Sequence, residues 1–133
     1  MTYLLDTHAL IWSIVQPSKL SNKVRQIIED PEQRITVSVI SFWEISLKHA
    51  LGKLGLTHVQ PDDFPAICEE MNIETLPLDA KQCATYHKLT KIYHKDPFDR
   101  MLIWQAKCLA IPILSKDEQM KQYESEAGIS VIW

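Results

Sequence analysis

The sequence predicts an α/β fold, a parallel sheet with helices on both faces, and three observations carry that expectation. Short apolar or β-branched runs alternate along the chain with stretches that set apolar residues at helical spacing. Strand, helix, strand, helix in repetition is the pattern of a parallel sheet covered on both sides. The 133 residues, with no glycine- or serine-rich linker and no internal repeat, read as a single domain over 1–133 with enough chain to bury a core.

Each element is legible in order. "TYLLD" is a buried opening strand, and "ALIWSIV" is the helix that follows it. "SNKVRQIIED" places Val24, Ile27 and Ile28 at i, i+3, i+4, one face of a helix. "RITVSVI" is compact and β-branched, hence a strand. "SFWEISLKHALGKLG" reads as a helix ended by glycines, and "PDDFPAICEEM" as a helix before the short "IETLPL". "DAKQCATYHKLTKIY" and "PFDRMLIWQAKCLA" are two further helices. "IPIL" is a strand, a short helix follows Lys116, and "ISVIW" is the last strand.

Composition removes several classes of function. A formal net charge of −3 argues against a protein that holds duplexes by being basic, although it leaves room for a nuclease whose acids are neutralised by divalent cations. Cys68, Cys83 and Cys108 have no C-x-x-C or zinc spacing and read as reduced core thiols of a cytoplasmic protein. The five histidines form no tight ligand pair, and the three glycines build neither a P-loop nor a GxGxxG turn. No apolar run is long enough to span a bilayer, so no membrane partner is expected.

The chemistry-bearing residues are acidic. In a parallel α/β sheet ligands bind beyond the carboxyl ends of the strands. Asp6 ends the first strand, Glu44 is expected in the first turn of the helix after "RITVSVI", and Asp117 follows "IPILSK". Asp99 reaches that rim from the start of the helix before "IPIL", with Asp96 just ahead of it. Every one of them also reads as a helix cap. Ser41-x-x-Glu44 spells a capping box, Asp96-Pro97-x-Asp99 spells a cap with proline at the first helical position, and Asp6 and Ser115 suit the same duty. Caps need no convergence, whereas gathered carboxylates repel: two unit charges ~4 Å apart cost about 4 kcal/mol at an effective dielectric of ~20. Convergence therefore means a cation, and hard oxygen donors suit Mg²⁺ or Mn²⁺.

At these residues the chain resembles the PIN domain, in its VapC-like toxin branch. The matching segments are "YLLDTHALIW", "VSVISFWEISLKHALGKLGL" and "HKDPFDRMLIWQA…IPILSKDEQM", which run from Tyr3 to Met120 in the family's order. The resemblance implies a three-layer α/β/α sandwich around a central parallel sheet of four or five strands, in the order 3-2-1-4-5. It implies a metal-dependent endoribonuclease that leaves a 5′-phosphate and a 3′-hydroxyl, with Asp6, Glu44, Asp99 and Asp117 at the four acidic positions. Asp96 is an additional acid there; Asp96 and Asp99 each suit the third position, and the phase of "FDRMLIWQA" favours Asp99. An RNA substrate, a small antitoxin and a homodimer are the partners implied.

In that frame Asp6, Asp99 and Asp117 are the expected metal ligands, and Glu44 either ligates or takes the proton of the attacking water. Thr7 and Ser115 either touch a phosphate oxygen or cap helices. Arg100 either grips a phosphate bidentately or pairs with Asp96 or Glu44. His8 and His94 lie near the expected pocket and read as surface or capping side chains, while Lys48, Lys53, Lys91 and Lys95 offer it local positive charge. Trp43 and Trp104 read as core, and Trp12 as core or as the wall of a partner's groove. The competing classes are a phospho-acceptor module, for which Asp6 lacks the neighbouring acid, and an inert binding domain whose acids are only caps.

Overall fold

A computed structural model describes residues 1–133. Five parallel strands form one sheet in the order β3-β2-β1-β4-β5: β1 Thr2–Leu5, β2 Arg34–Ser38, β3 Glu74–Leu76, β4 Ile113–Leu114 and β5 Val131–Ile132. The helices are α1 Thr7–Val15, α2 Asn22–Glu29, α3 Val39–Ala50, α4 Phe64–Glu70, α5 Ala80–Thr85, α6 Pro97–Leu109, α7 Glu118–Lys121 and α8 Glu124–Ala127. The three layers, the parallel strands and their order are those implied by the resemblance. None of the helices is long and apolar enough to cross a membrane.

The period of two along β1 divides the core. Tyr3 and Leu5 face one apolar cluster with Ala9, Leu10, Val24 and Phe64, and Leu4 faces a second with Leu102, Ile103 and Met120. The registers Leu4↔Ile113 and Leu5↔Leu114 carry the same division into β4. Helices α1, α2 and α4 therefore cover one face, α6, α7 and α8 the other, and α3 contributes Ile45 to the first and Ile40 to the second.

Several boundaries differ from the sequence expectation. Strand β2 stops at Ser38, whose hydroxyl accepts from Ile40 N at 3.2 Å and starts α3 three residues before Ser41. Val39 and Ile40 are β-branched and read as strand, yet they form the first turn of the helix. Ser41 and Glu44 accordingly form no capping box, and Glu44 lies in the second turn. The helix expected over "DAKQCATYHKLTKIY" ends at Thr85, with a 3₁₀ turn at Tyr86–Lys88 and an irregular path from there to Asp96. Tertiary partners capture that backbone: Thr90 N and Lys91 N donate to the Glu126 carboxylate, and Arg100 takes the carbonyls of Leu89 and Lys91. Of the thiols only Cys68 is buried. Trp104 is core, but Trp43 is 60% exposed and stands edge-on to Phe98.

Candidate metal centre

Carboxylates from four parts of the chain meet beyond the carboxyl ends of β1 and β4, and ordinary helix-start chemistry delivers most of them. Asp6 is the N-cap of α1, with Oδ1 accepting from Ala9 N at 2.7 Å. Asp117 caps α7 through Gln119 N at 2.8 Å. Asp96 caps α6, its Oδ1 accepting from Phe98 N at 2.8 Å and from Asp99 N at 3.4 Å, with Pro97 at the first helical position. Asp99 is the third residue of that helix. Its place at the rim follows from direction: a helix antiparallel to the strand it feeds begins where the strands end. Glu44, 1% exposed, comes in from α3.

Polar side chains behind the rim hold these acids. The Thr7 hydroxyl lies 2.6 Å from Glu44 Oε1 and 2.9 Å from Ser41 Oγ, and its single proton goes to the carboxylate, which can only accept. The Ser115 hydroxyl donates to Asp6 Oδ2 and accepts from Asp117 N at 3.0 Å, so it ties the two acids together. Thr7 and Ser115 are both buried here and brace carboxylates; Asp117, not Ser115, is the cap of α7. Lys48, four residues after Glu44 on α3, bonds Glu44 Oε2 and lies 3.3 Å from Asp96 Oδ2.

Arg100 departs from both sequence expectations, because its guanidinium turns away from the acids. It donates to Leu89 O at 2.8 Å, Lys91 O at 2.7 Å, and the hydroxyls of Tyr86 at 2.7 Å and Tyr123 at 2.6 Å. The Tyr123 hydroxyl also accepts from the amides of Tyr93 and His94. Arg100 and Tyr123 thus fix the segment that carries His94 to the rim.

His94 is the component whose importance sequence reasoning missed. Its Nε2 lies 2.8 Å from Asp117 Oδ2 and 3.0 Å from Asp99 Oδ2, and the three ligand-type atoms lie within 4.8 Å of one another. Its Nδ1 accepts from Asp96 N at 3.1 Å, which leaves Nε2 as the nitrogen that donates to the carboxylates. In this arrangement His94 is a donor to the acids rather than a metal ligand. The one local signal is its place two residues ahead of Asp96; its partners lie too far along the chain to be read.

The electrostatics express the crowding. Burial, then the like charges of Glu44, Asp96, Asp6 and Asp117, push the Asp99 carboxyl up to about 8. Burial raises Asp6 to about 6 against the lowering effect of its hydrogen bonds from Ser115 and Ala9. Oxygen donors converging at this density of negative charge fit a hard divalent cation; oxygens of Asp99 and Asp117 lie with His94 Nε2 within 4.8 Å of one another, and the charge of Asp6 is felt at Asp99.

Both carboxyls are displaced upward, so the folded protein holds these protons more tightly than the unfolded chain, and stability falls as pH rises from about 4 to about 8. The melting temperature of the metal-free protein is expected to drop by about 5 °C or more between pH 5 and pH 8. Millimolar Mg²⁺ or Mn²⁺ flattens the slope by favouring the ionised carboxylates. A metal-free profile that is flat or rising would contradict the crowding described here.

The chain is similar to known proteins in both sequence and fold. The PIN domain family model matches residues 3–126. The chain is 23% identical over 130 residues to Ribonuclease VapC22 of Mycobacterium tuberculosis, covering 98% of each chain. Among solved structures it is similar to VapBC-1 from nontypeable Haemophilus influenzae, with a TM-score of 0.67, 19% identity, and coverage of 98% of this chain and 96% of that one. It is also similar to VapBC2 from Rickettsia felis bound to a DNA fragment from their promoter, with a TM-score of 0.65, 13% identity, and coverage of 98% and 97%.

Proposed function

The chain belongs to the PIN domain family, and on that premise we propose that it is a metal-dependent endoribonuclease, the toxin of a toxin–antitoxin pair. The observation that carries the reading is the meeting of Asp6, Glu44, Asp96, Asp99 and Asp117 at one rim, where Asp99 is pushed far above the carboxylate range. Helix capping accounts for Asp6, Asp96 and Asp117 singly, but it does not account for the buried Glu44 and the half-buried Asp99 standing among them.

Asp99 and Asp117, with Asp6, are the residues that would hold Mg²⁺ or Mn²⁺. The bound cation supplies a water of lowered pKa and neutralises charge on the phosphate. Glu44, kept in place by Thr7 and Lys48, is the carboxylate assigned to receive the proton of the attacking water. Asp96 caps α6 through one oxygen and has the other beside Lys48, whereas Asp99 caps nothing and meets no lysine, so Asp99 is the acid we assign to the third position. Ser115 keeps Asp6 and Asp117 in register with each other.

A structured RNA pool incubated with Mg²⁺ or Mn²⁺ is expected to be cut, with 5′-phosphate and 3′-hydroxyl ends. EDTA stops the reaction, and Asp6→Asn lowers it by about hundredfold or more while keeping the circular dichroism of the parent. No cutting with either metal, together with no Mn²⁺ binding, would reduce the acids to caps. The same reading includes a small antitoxin and a second copy of the chain as protein partners, and copurification and sedimentation test them.

A further inference from the structure

We propose that the depression beside Asp6 and Asp117, walled by Trp12 and His8 and edged by Lys116, is a nucleobase subsite. It stacks one base of the strand being cut on the Trp12 indole, and Lys116 holds an adjoining phosphate. The proposal rests on the ribonuclease reading and names how that site grips its substrate.

The depression has a volume of about 350 Å³, within the range of small-ligand pockets. Two of its lining residues, Asp6 and Asp117, belong to the acid cluster, so a base seated there belongs to a nucleotide whose phosphate lies at the carboxylates. Trp12 is held ready. Its ring meets Trp133 edge-on at 5.7 Å and His8 at 5.6 Å, and Lys19, which does not line the depression, sits 5.7 Å from its centroid. A ring fixed by its neighbours loses little freedom when a base stacks on it.

Charge selects the kind of occupant. Asp6 and Asp117 repel an anion from the floor, but a base is neutral and polarisable; the scissile phosphate lies at the carboxylates only with a cation between them, and the adjoining phosphate is directed to Lys116 at the edge. Trp12 is the only apolar residue of the lining. An apolar helix of a protein partner finds no groove there, whereas one aromatic plane among polar groups matches a base. The track continues: a second depression of about 380 Å³ shares Lys116 and Asp117 and adds Glu118, Lys121 and Trp133. A single strand passing from one to the other would meet a second aromatic wall and a second cation.

The test measures binding of a fluorescein-labelled single-stranded RNA about ten nucleotides long, in an Asp99→Asn background that is expected to abolish cleavage. Trp12→Leu keeps an apolar side chain against Trp133 but removes the π face, and is expected to weaken binding roughly ten- to hundredfold. Trp12→Phe recovers most of it. Exposed Lys116→Ala weakens binding a few-fold and lowers the salt slope by about one. An abasic site walked along the RNA weakens binding to the Trp12 protein at one position, and that penalty disappears in Trp12→Leu. Unchanged RNA binding by a folded Trp12→Leu, or an abasic penalty that persists in it, would overturn the subsite and leave the ribonuclease reading standing. Loss of antitoxin binding with RNA binding intact would give the depression to a protein instead. No RNA binding with Trp12 and Lys116 both in place would sink the ribonuclease reading and the subsite together.

Discussion

Asparagine in place of Asp99 is expected to abolish cleavage and, in metal-free buffer at pH 8, to raise the melting temperature. The Asp99 side chain is 14% exposed, and four other carboxylates bear on it. Ionising it there works against burial and against like charge, which is why its carboxyl stands at about 8. Asparagine keeps the shape, retains an oxygen for His94 Nε2, and removes the charge. Each tenfold gain in proton affinity corresponds to about 1.4 kcal/mol, and relaxation of the site reduces the total, so a gain of a few kcal/mol bounds the effect. The gain vanishes near pH 4, where the wild-type carboxyl is protonated too. Saturating Mg²⁺ reverses the ranking, because only the wild type keeps the full set of ligands. Activity is expected to fall further than the roughly ten- to hundredfold that outer partners of metal sites cost, since the proposed function puts Asp99 against the ion itself. Calorimetry at pH 4 and pH 8, with and without Mg²⁺, reads every part of this. A variant less stable than wild type at pH 8 without metal would contradict it.

Arg100→Ala carries the largest expected loss of stability. It deletes donors to two backbone carbonyls and two tyrosine hydroxyls at a residue only 8% exposed. Leu89 O is left buried without a partner, at about 1–3 kcal/mol, while Lys91 O and the Tyr123 hydroxyl keep other partners and Tyr86 is only half-buried, so with the lost packing about 3 kcal/mol overall is the expected scale. That corresponds to a melting temperature lower by roughly 10 °C. Arg100→Lys recovers little, because an ammonium cannot span the fork between Leu89 O and Lys91 O. The segment so released carries His94 and Asp96. Cleavage therefore falls even at temperatures where the variant is folded, although Arg100 touches none of the acids. Cleavage by Arg100→Ala at the wild-type rate, with its melting temperature unchanged, would show that the guanidinium is not holding that segment.

What is readable in the sequence is local. Asp96-Pro97-Phe98-Asp99 spells its own cap, and Glu44-x-x-x-Lys48 displays a salt bridge by its helical spacing alone. The order of the strands is not local and came from resemblance alone. Ser41-x-x-Glu44 misleads because it satisfies the capping rule in spelling, while the preceding Val39 and Ile40 disguise the true start of α3. The overlong helix after Asp79 fails for a different reason. Its end is set by Glu126 and Arg100, which take its backbone from 36 and 11 residues away. Thr7, Ser115 and His94 fall near the right place with the wrong duties, since their partners lie 37, 109 and 23 residues along the chain.

Of the five strands, the central one is made before the other four. β1 pairs with β2 on one side, but its other neighbour is β4, and Ser115 reaches Asp6 across 109 positions of chain. At about 5–20 residues per second of synthesis, Asp6 waits roughly 5–20 s for the partners that complete its surroundings. A nascent chain short of Asp117 has no assembled cluster and, on the proposed function, no means of cutting RNA. The order of parts along the polypeptide is thus a delay. Ribosome-bound chains stalled before residue 113 are expected to leave RNA intact, and those released beyond residue 133 to cut it.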